Sequence, residues 1–478
     1  MLPEAEPFLH REKSNLHLTQ TLDSLPFSKW HLYIIFALGL TWIFDGYEVT
    51  MLSLTLIKLR DYFNCSDQQI ASIASFYLFG CCVGAIIFGS LASSYGRKKL
   101  FFITLGIYFI SILGVTCSSS FFAFSFFRFL TGLSVGGEYT AIFAAIDEFI
   151  PSKYRGRVNI TLDGAWHLGS TIASLVSIFF FYCFESENIW RVLFALGAVG
   201  ALPLLYLRKG VPESPRWLIS KGREEEGGKI VKYVQDCVKK GVFIDYKENE
   251  EIQSAKKENN LFSLFGMIYN YYYKRYPRRF LVGITLMAAQ AFFYNGIFYT
   301  FSLVLNKFYS VETHLIGLFM IPLSLSSFLG PLLLSPYFDT IGRRRMIFLS
   351  YVSSGVLLII TAVLFSNDHL SLLAQIVSYF FIFLLASPGA SAVHLIISEI
   401  FPIEIRSQSM AFFFSVGLGL GGVIAPFIFG CLIGEGSRGS VGCGLIVGGC
   451  MMIGGGLVGG KWGVDAEGKS LEEIREME

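Results

Sequence analysis

The chain of 478 residues is 53% hydrophobic and 15% charged, and 47 of its residues are Phe. An average soluble domain carries about 25% charged residues, so this composition excludes an ordinary soluble protein and favours one that is solvated by lipid. The formal net charge of +2 is too small to indicate a nucleic-acid partner. The nine cysteines show no spacing typical of a disulfide framework or a zinc site, and we expect neither a metal nor a cofactor.

Twelve apolar runs are long enough to cross a membrane, which takes about 20 residues. Six lie in the first half, near 31–57, 70–93, 99–118, 121–149, 159–184 and 189–207. Six lie in the second half, near 280–305, 314–338, 345–366, 371–400, 409–433 and 441–460. The sequence therefore predicts an all-α membrane protein with twelve transmembrane helices in two six-helix bundles. Because the first run is too long for a signal peptide, we expect no cleavable signal.

The predicted organisation has five parts: an N-terminal segment at 1–30, a bundle at 31–207, a central loop at 208–277, a bundle at 278–460 and a tail at 461–478. Basic residues are concentrated in alternate loops, at Arg97–Lys99, Lys153–Arg157, Arg343–Arg345 and Arg406. By the positive-inside rule, we expect these loops, both termini and the central loop to face the cytoplasm, below a plasma or inner membrane. The mixed charges and apolar periodicity of the central loop predict short amphipathic helices on that face.

Two motifs recur in both halves in the same order. Gly96-Arg97-Lys98-Lys99 follows the second run, and Gly342-Arg343-Arg344-Arg345 follows the eighth. Glu148-x-x-Pro151-x-x-x-Arg155 ends the fourth run, and Glu399-x-x-Pro402-x-x-x-Arg406 ends the tenth. The two copies of each motif lie 246 and 251 residues apart. Two related halves around a central cavity suit alternating access, in which the halves rock about a site at the middle of the membrane.

The ordered motifs resemble those of the major facilitator superfamily, and within it those of the sugar-porter and organic-ion branches. The matching segments run from Gly89 to Lys98, Arg128 to Gly137, Pro212 to Leu218, Ser398 to Pro402 and Ser470 to Ile474. Together with the first run they cover nearly the whole chain. The resemblance implies the major facilitator fold, transport of a small-molecule solute and no enzymatic activity.

Asp45 and Glu48 lie inside the first run, where an ionisable group costs at least about 2.5 kcal/mol unless it faces a cavity or a partner. Their spacing places both carboxylates on one helical face. Two neighbouring carboxylates at low dielectric favour retention of a proton by one of them, so the pair is a candidate proton-coupling site. The resemblance leaves the carrier open: sugar porters place it at Glu48, whereas the Asp-Gly-Tyr typical of the organic-ion branch favours Asp45. The alternative is an interfacial residue or a static ion-pair partner.

Arg128 lies in the fourth run, with Gly132 and Gly136 on the same stripe. Glycines at this spacing allow two membrane helices to approach closely. Because an arginine does not titrate, Arg128 can act on a proton only by biasing a neighbouring carboxylate. The resemblance implies that it pairs with the carboxylate of the first helix and so belongs to the proton-coupling site. The alternative is a side chain that extends to the membrane surface.

Six residues are predicted to bind the solute: Asp163, His167, Gln290, Asn295, Tyr299 and His394. Asp163 and His167 share a helical face, and they either bind a basic or hydroxyl-rich solute or form an internal pair that fixes helix packing. The resemblance places Gln290, Asn295 and Tyr299 in the solute site, where amides suit hydroxyl groups; the alternative is hydrogen bonding between helices. Sugar porters have Gln at the position of Asp163 and Trp at that of His394, which argues against a hexose.

Eight charged residues resemble the cytoplasmic ion-pair network of the superfamily, which holds the halves together on one side: Arg97, Glu148, Arg155, Glu213, Asp339, Arg343, Glu399 and Arg406. Ser93 replaces the Asp of the family pattern, and Ser335 replaces a Gly. We therefore expect half of this network to be weak. The alternative is ordinary positive-inside charge with surface pairing.

The run Gly455-x-x-x-x-Gly460-Lys461 imitates a phosphate loop but lacks the Ser or Thr and follows no strand, so we expect no nucleotide partner. The leading hypothesis is a monomeric secondary active transporter in the bilayer that moves a small polar organic solute, sugar-like or an organic acid or ion, by proton symport. The alternative is a proton-independent facilitator or an organic-ion exporter on the same fold. A receptor that no longer transports is a remote third hypothesis.

Overall fold

The computed structural model describes residues 21, 22, 24–184, 186–240, 276–400 and 406–464. In this part of the chain every regular element is a helix and no β-strand occurs. The first half contains α1 (Lys29–Phe63), α2 (Asp67–Tyr95), α3 (Arg97–Cys117), α4 (Phe121–Phe149), α5 (Ser152–Cys183) and α6 (Ile189–Lys209). Two short helices follow, α7 (Pro215–Ser220) and α8 (Glu224–Lys240).

The second half contains α9 (Pro277–Tyr309), α10 (Thr313–Thr340), α11 (Arg343–Ser366), α12 (Leu372–Ile400), α13 (Arg406–Gly417), α14 (Ile424–Gly434) and α15 (Arg438–Trp462). A π-helical segment, Leu418–Val423, joins α13 to α14 and so interrupts the run predicted at 409–433. Several helices extend beyond their apolar runs. The first continues to Phe63 and ends where Asn64 adopts a left-handed conformation with φ of 52°.

Eleven helical stretches in the described residues are long and apolar enough to cross a membrane. The predicted span that is not among them is α4, although it is a continuous helix of 29 residues. Arg128 and Glu138 lie inside α4 and lower its hydropathy. The predicted all-α membrane fold is therefore confirmed.

The outer surface of the bundle carries large apolar side chains that no part of the described chain covers. Phe122 is 82% exposed, Leu373 73%, Val199 62% and Leu113 61%. Contiguous apolar surface of this kind is rare on soluble monomers. It is the surface expected of helices that contact lipid, because the bilayer interior solvates apolar side chains.

Glycines set the close packing of the helices that surround the middle of the first half. A Cβ atom on Gly132 of α4 would lie 1.9 Å from the carbonyl oxygen of Tyr77 on α2. A Cβ atom on Gly46 of α1 would lie 1.9 Å from the carbonyl oxygen of Trp166 on α5. Any larger residue would force these helices apart. The glycines thus bring the backbones of α2 and α5 within reach of the polar side chains of α1 and α4.

Hydroxyl groups join the two halves along the middle of the molecule. The Ser53 hydroxyl of α1 donates a hydrogen bond to the carbonyl oxygen of Phe298 on α9, at 2.8 Å. The hydroxyls of Ser170 on α5 and Ser324 on α10 lie 2.5 Å apart. Small hydroxyl side chains let membrane helices approach closely and still satisfy their polar groups.

An ion pair joins the halves at the end of the molecule where α1 ends and α2 begins. Lys307 Nζ, near the end of α9, lies 2.9 Å from Asp67 Oδ2 at the start of α2. Lys307 also donates to the carbonyl oxygen of Gly434, at 3.3 Å. Arg60 Nη1 lies 3.0 Å from the other oxygen of Asp67. Asp67 therefore binds one basic residue from each half.

At the opposite end of the first half, Glu213 lies in the connection between α6 and α7 and binds the start of α3. Its carboxylate accepts hydrogen bonds from the backbone N–H groups of Arg97, at 3.0 Å, and Lys98, at 3.1 Å, at the start of α3. A carboxylate is stabilised at a helix N-terminus by the helix dipole. Burial raises the pKa of Glu213, and hydrogen bonds from the backbone of Ser214 and Arg97 oppose this effect. The connection thus caps a helix of its own half.

The predicted amphipathic character of the central loop is present in α8. Its first turn is acidic and its last turn basic, as the helix dipole favours. Its buried residues are Gly227, Ile230, Val231, Val234, Cys237 and Val238. The rest of the predicted loop, 241–275, lies outside the described residues.

Candidate functional site

A cavity of about 160 Å³ lies between the two halves. Its walls come from α1, α2, α4 and α5 on one side and from α9, α12, α13 and the π-helical segment on the other. All six residues predicted to bind the solute line this cavity, and so does Asp45. Glu48 and Arg128 do not line it. Within the described residues, no group of three or more His, Cys, Asp or Glu side chains could hold a metal ion.

Glu48 and Arg128 form an ion pair between α1 and α4, and their side chains are 1% and 0% exposed. The guanidinium also lies over the ring of Tyr77, with Cζ 4.7 Å from the ring centroid. Glu48 Oε1 and Arg128 Nε and Nη2 have no hydrogen-bond partner in the part of the chain that the structure describes. A buried ion pair with unmet hydrogen bonds is costly, and inside a membrane such charges usually mark a functional site.

Asp45 is held by neutral groups instead of a cation. The hydroxyls of Tyr77 and Tyr139 donate to its two oxygens at 2.5 and 2.9 Å, and the indole N–H of Trp166 donates at 2.7 Å. These donors belong to α2, α4 and α5, so one carboxylate of α1 is bound to three other helices. Each donated hydrogen bond stabilises the ionised carboxylate.

Asp163 and His394 meet across the cavity from opposite halves. Asp163 Oδ1 lies 3.9 Å from Nδ1 of His394 and accepts a hydrogen bond from Trp42 Nε1 at 3.4 Å. The ring of His394 stacks on Phe143, with centroids 5.3 Å apart and an angle of 13° between the rings. Neither ring nitrogen of His394 has a hydrogen-bond partner among the described residues. The stacking therefore fixes the orientation of the ring, and both of its nitrogens are buried without a hydrogen-bond partner in the described part of the chain.

His167 does not bond to Asp163, its neighbour on the same helical face, in the described structure. Its ring packs edge-on against Trp166, with centroids 5.0 Å apart. Its Nδ1 is buried and has no hydrogen-bond partner among the described residues. The internal Asp–His pair considered from the sequence is therefore not formed within α5, and Asp163 faces His394 instead.

The three predicted residues of α9 line the second-half wall of the cavity. Asn295 Nδ2 donates to the carbonyl oxygen of Ala291 at 2.8 Å, and Gln290 Nε2 lies 3.7 Å from Met287 Sδ. Tyr299 is only 1% exposed. Within the described residues, the amide oxygens of Gln290 and Asn295 make no hydrogen bond to another helix. These hydrogen bonds therefore do not support the alternative that the amides join helices.

Three members of the predicted cytoplasmic network have described side chains. Arg97 and Arg343 begin α3 and α11, and Glu213 binds the backbone of Arg97. Arg343 is buried, with 6% exposure. The side chains of Glu148, Arg155, Asp339, Glu399 and Arg406 lie outside what the structure describes. The network between the halves stays a prediction.

A second buried ion pair was not predicted from the sequence. Arg208 Nη2 of α6 lies 3.5 Å from Glu138 Oε2 of α4. Arg208 also donates to the hydroxyl of Thr41 on α1 at 2.6 Å, and Thr104 of α3 donates to Glu138 at 3.2 Å. The pair thus holds four helices of the first half together. A carboxylate inside a predicted span is the signal that singled out Asp45, and it would have found Glu138 as well.

The sequence profile of the family described as "Sugar (and other) transporter" matches residues 17–477. The chain belongs to this family. Members of the family are transporters and not enzymes, and the apolar outer surface and long helices make this member a multi-pass membrane protein.

Curated relatives of this family member carry names of metabolite carriers. The cis,cis-muconate transport protein of Acinetobacter baylyi is 26% identical over 87% of this chain and 90% of its own length. The inner membrane metabolite transport protein YdjE of Escherichia coli is 27% identical over 95% of this chain and 98% of its own length. The niacin transporter NiaP of Acinetobacter baylyi is 30% identical over 46% of this chain, and the chain spans about half the length of that relative, 49%.

Solved structures share the fold of this sugar-transporter family member. The proton:xylose symporter XylE bound to 6-bromo-6-deoxy-D-glucose superposes with a TM-score of 0.75 over 93% of this chain and 98% of that chain, at 19% identity. The partially occluded inward-open form of XylE from Escherichia coli gives a TM-score of 0.71 over 93% of this chain and 100% of that chain, at 19% identity. The predicted major facilitator fold is confirmed by this likeness.

Sequence reasoning on this transporter-family chain missed the residues that hold Asp45. Tyr77 and Tyr139 were not singled out, because a tyrosine in an apolar run is common and its partner lies on another helix. Trp166 lies between Asp163 and His167 in the sequence, but was not predicted to contact Asp45. The usable signal was weak: the glycines that pack α4 on α2 predict a close contact, but not which polar side chains it brings together.

Proposed function

We propose that the chain is a secondary active transporter that moves a small polar organic solute by alternating access, in symport with a proton carried by Asp45. The observation that carries this proposal is the different setting of the two carboxylates of α1. Asp45 lines the cavity between the halves and has no cationic partner among the described residues. Glu48 lies outside the lining and is paired with Arg128. A group that exchanges protons must reach the transport pathway, and a direct ion pair with an arginine would hold it in the ionised form.

Protonation of Asp45 would change the contacts between helices. The hydroxyls of Tyr77 and Tyr139 can donate or accept, whereas the indole N–H of Trp166 only donates. A protonated Asp45 gains an O–H donor and loses acceptor strength, so its hold on α5 through Trp166 weakens. A bound proton shifts a conformational equilibrium only if it interacts differently with the two states. The hydrogen bonds of Asp45 provide that difference.

Arg128 is paired with Glu48 and acts on Asp45 only at a distance. Arg128 has two nitrogens without a hydrogen-bond partner among the described residues, Nε and Nη2. In this arrangement Arg128 favours release of the proton from Asp45, while Glu48 keeps Arg128 in place. Glu48 has a positioning role in this scheme.

The solute class rests on the cavity and on the names of the relatives. The cavity has amide, hydroxyl, imidazole and carboxylate groups, which suit a small polar compound. The relatives are named for the transport of cis,cis-muconate and niacin, and the structural neighbour for xylose and a proton. These compounds are chemically diverse but all are small and polar, which supports the general class and no single member of it.

The membrane arrangement is part of the proposal. Glu213, α7 and α8 lie at the end where α2 meets α3, and the basic residues Arg97 and Lys98 begin α3 there. The positive-inside rule places this end in the cytoplasm, together with both termini. We propose that the transporter works as a monomer in a plasma or inner membrane.

The test compares two variants of the purified protein in liposomes. Solute accumulation driven by a pH gradient and solute counterflow without a gradient are measured for Asp45→Asn and Glu48→Gln, with the solute drawn from a panel of xylose, niacin, cis,cis-muconate and organic amines. We expect Asp45→Asn to lose accumulation and keep counterflow. We expect Glu48→Gln to impair both activities, because it leaves the buried Arg128 unpaired. Asp368→Asn is the control, since its carboxylate is 75% exposed and remote from the cavity.

Accumulation by Asp45→Asn at the wild-type level would contradict proton symport through this residue and leave the facilitator or exporter as the better function. A wild-type protein that neither accumulates nor exchanges any solute of the panel, and binds none, would favour the receptor. The assignment of Asp45 as the proton carrier and Glu48 as a positioning residue would be contradicted if Asp45→Asn lost both activities while Glu48→Gln behaved like the wild type.

A further inference from the structure

The charged side chains that line the cavity are carboxylates. Two carboxylates, Asp45 and Asp163, line the cavity, and no Lys or Arg of the described chain is among its lining residues. Arg128, which acts on Asp45 from a distance, is paired with Glu48, so its charge is already balanced. A solute that carries a carboxylate would therefore meet two like charges at low dielectric without a compensating cation. A cationic solute would meet two attractive ones.

Of the two carboxylates, Asp163 is the one available to a solute. Its side chain is 19% exposed, whereas Asp45 is 4% exposed and accepts three hydrogen bonds. Opposite Asp163, the buried ring of His394 presents two nitrogens that no described residue binds. The gap of 3.9 Å between Asp163 Oδ1 and His394 Nδ1 is too long for a hydrogen bond. The pair forms an acceptor site that an N–H group or a positive charge can complete.

Aromatic rings form much of the remaining wall. The rings of Tyr139 and Phe414 stack across the two halves with centroids 5.3 Å apart. Trp166 packs edge-on against Phe298 at 5.2 Å on another side of the cavity. The faces of such rings attract organic cations, above all when the site excludes water. Carboxylate and aromatic groups together are the usual way in which proteins bind quaternary or protonated amines.

The size of the cavity limits the solute. An engineered apolar cavity of about 150 Å³ holds one benzene molecule, and the cavity here has about 160 Å³. In this conformation it admits a compound built on one six-membered ring with a few substituent atoms.

From these observations we propose that the solute is a small organic cation of about one ring in size, a protonated or quaternary amine, whose positive charge is bound by Asp163 beside His394. This inference rests on the proposed transport function and names its substrate class. It also fits proton symport, because one proton on Asp45 and one monovalent cation at Asp163 neutralise the two carboxylates of the cavity.

The experiment uses three compounds of one shape and different charge. They are the ring-N-methylated nicotinamide cation, neutral nicotinamide and anionic nicotinate, and their equilibrium binding to the detergent-purified full chain is measured by calorimetry. We expect the cation to bind about tenfold more tightly than the neutral compound, as a single charge-assisted contact predicts, and the anion to bind most weakly. Asp163→Asn should remove this preference, and Asp163→Glu should restore most of it.

Tightest binding of nicotinate, or an unchanged preference for the cation in Asp163→Asn, would overturn the proposal. If Asp163→Asn does not yield folded protein, the affinities of the wild type for the three compounds still test the proposal. Affinities that do not depend on the charge of the compound would contradict a cation site. Binding separates this inference from the transport proposal. A cation-selective protein that fails to accumulate any solute refutes proton symport alone, whereas proton-driven uptake of nicotinate with no uptake of the cation refutes the cation site alone.

Discussion

At the scale of single residues, the turn between α2 and α3 shows how tightly the backbone is constrained. Gly96 has a φ of 87°, and a Cβ atom there would lie 2.4 Å from Oε2 of Glu213. A side chain at this position would be strained by its backbone conformation and would displace the carboxylate that caps α3. The glycine of this motif is thus required by the turn itself, independently of any gating role of its neighbours.

We therefore expect Gly96→Ala to destabilise the protein by about 1–3 kcal/mol, the usual cost of such backbone strain. The measurement is the unfolding midpoint of the purified protein in a denaturing-detergent titration. Gly106→Ala is the matched control, since Gly106 lies inside α3 and a Cβ atom there meets nothing within 4 Å. Equal stability of the two variants would show that the cap of α3 does not depend on Gly96.

At the residue scale, the sequence predicts the relative positions of side chains that belong to the same helix. The spacing of Asp45 and Glu48 correctly placed both on the inner side of α1, and both are buried. It could not say which would meet Arg128, because that depends on the rotation of α4 relative to α1. The contact of Asp163 with His394 joins residues from opposite halves, and no spacing rule connects them. His167, four residues from Asp163, looked like the better partner from the sequence alone.

At the scale of elements, the π-helical segment Leu418–Val423 adjoins the cavity through Leu418. Single π-helical turns inside α-helices are often found at functional sites. The segment packs on α9 through Gly421, where a Cβ atom would lie 2.2 Å from the carbonyl oxygen of Ala288. Since α9 carries Gln290 and Asn295, the contact sets the position of the second-half wall of the cavity.

Gly421→Ala should push this segment away from α9 and weaken solute binding, with a loss of stability of about 1–3 kcal/mol, as is usual for overpacked sites. Solute affinity and the unfolding midpoint are both measured. Gly419→Ala serves as the control in the same segment, because a Cβ atom there would lie 3.9 Å from Cys82 Sγ, an ordinary contact. A normal affinity in Gly421→Ala would mean that the segment does not position the wall.

Element-scale prediction was reliable for the existence of the spans and poor for their ends. The apolar runs located the helices, but α1 runs on to Phe63 through polar residues that a hydropathy pattern excludes. The π-helical segment was not predicted, although the glycine-rich run from Gly417 to Gly422 marks its place. Glycines allow close packing and irregular helical geometry alike, so the sequence does not distinguish the two outcomes.

At the scale of the whole molecule, the repeat and the hydropathy pattern were sufficient to predict two related bundles. They could not predict how the halves contact each other. The ion pair of Asp67 with Lys307 and the hydrogen bond of Ser53 to Phe298 both join distant parts of the chain. The cavity lies between the halves, so its lining, from which we infer an organic cation, could not be predicted from the motifs, which resemble those of sugar porters and of organic-ion transporters alike.

The central claim is that a solute and a proton cross the membrane together through the cavity that holds Asp45. Its most direct test records the internal pH of liposomes that contain a trapped pH indicator, with no imposed gradient and the membrane potential clamped, after the tightest-binding compound of the nicotinamide series is added outside. The account predicts acidification of the interior that follows solute entry in the wild type and is absent in Asp45→Asn. Entry of the solute into wild-type liposomes at constant internal pH would contradict it.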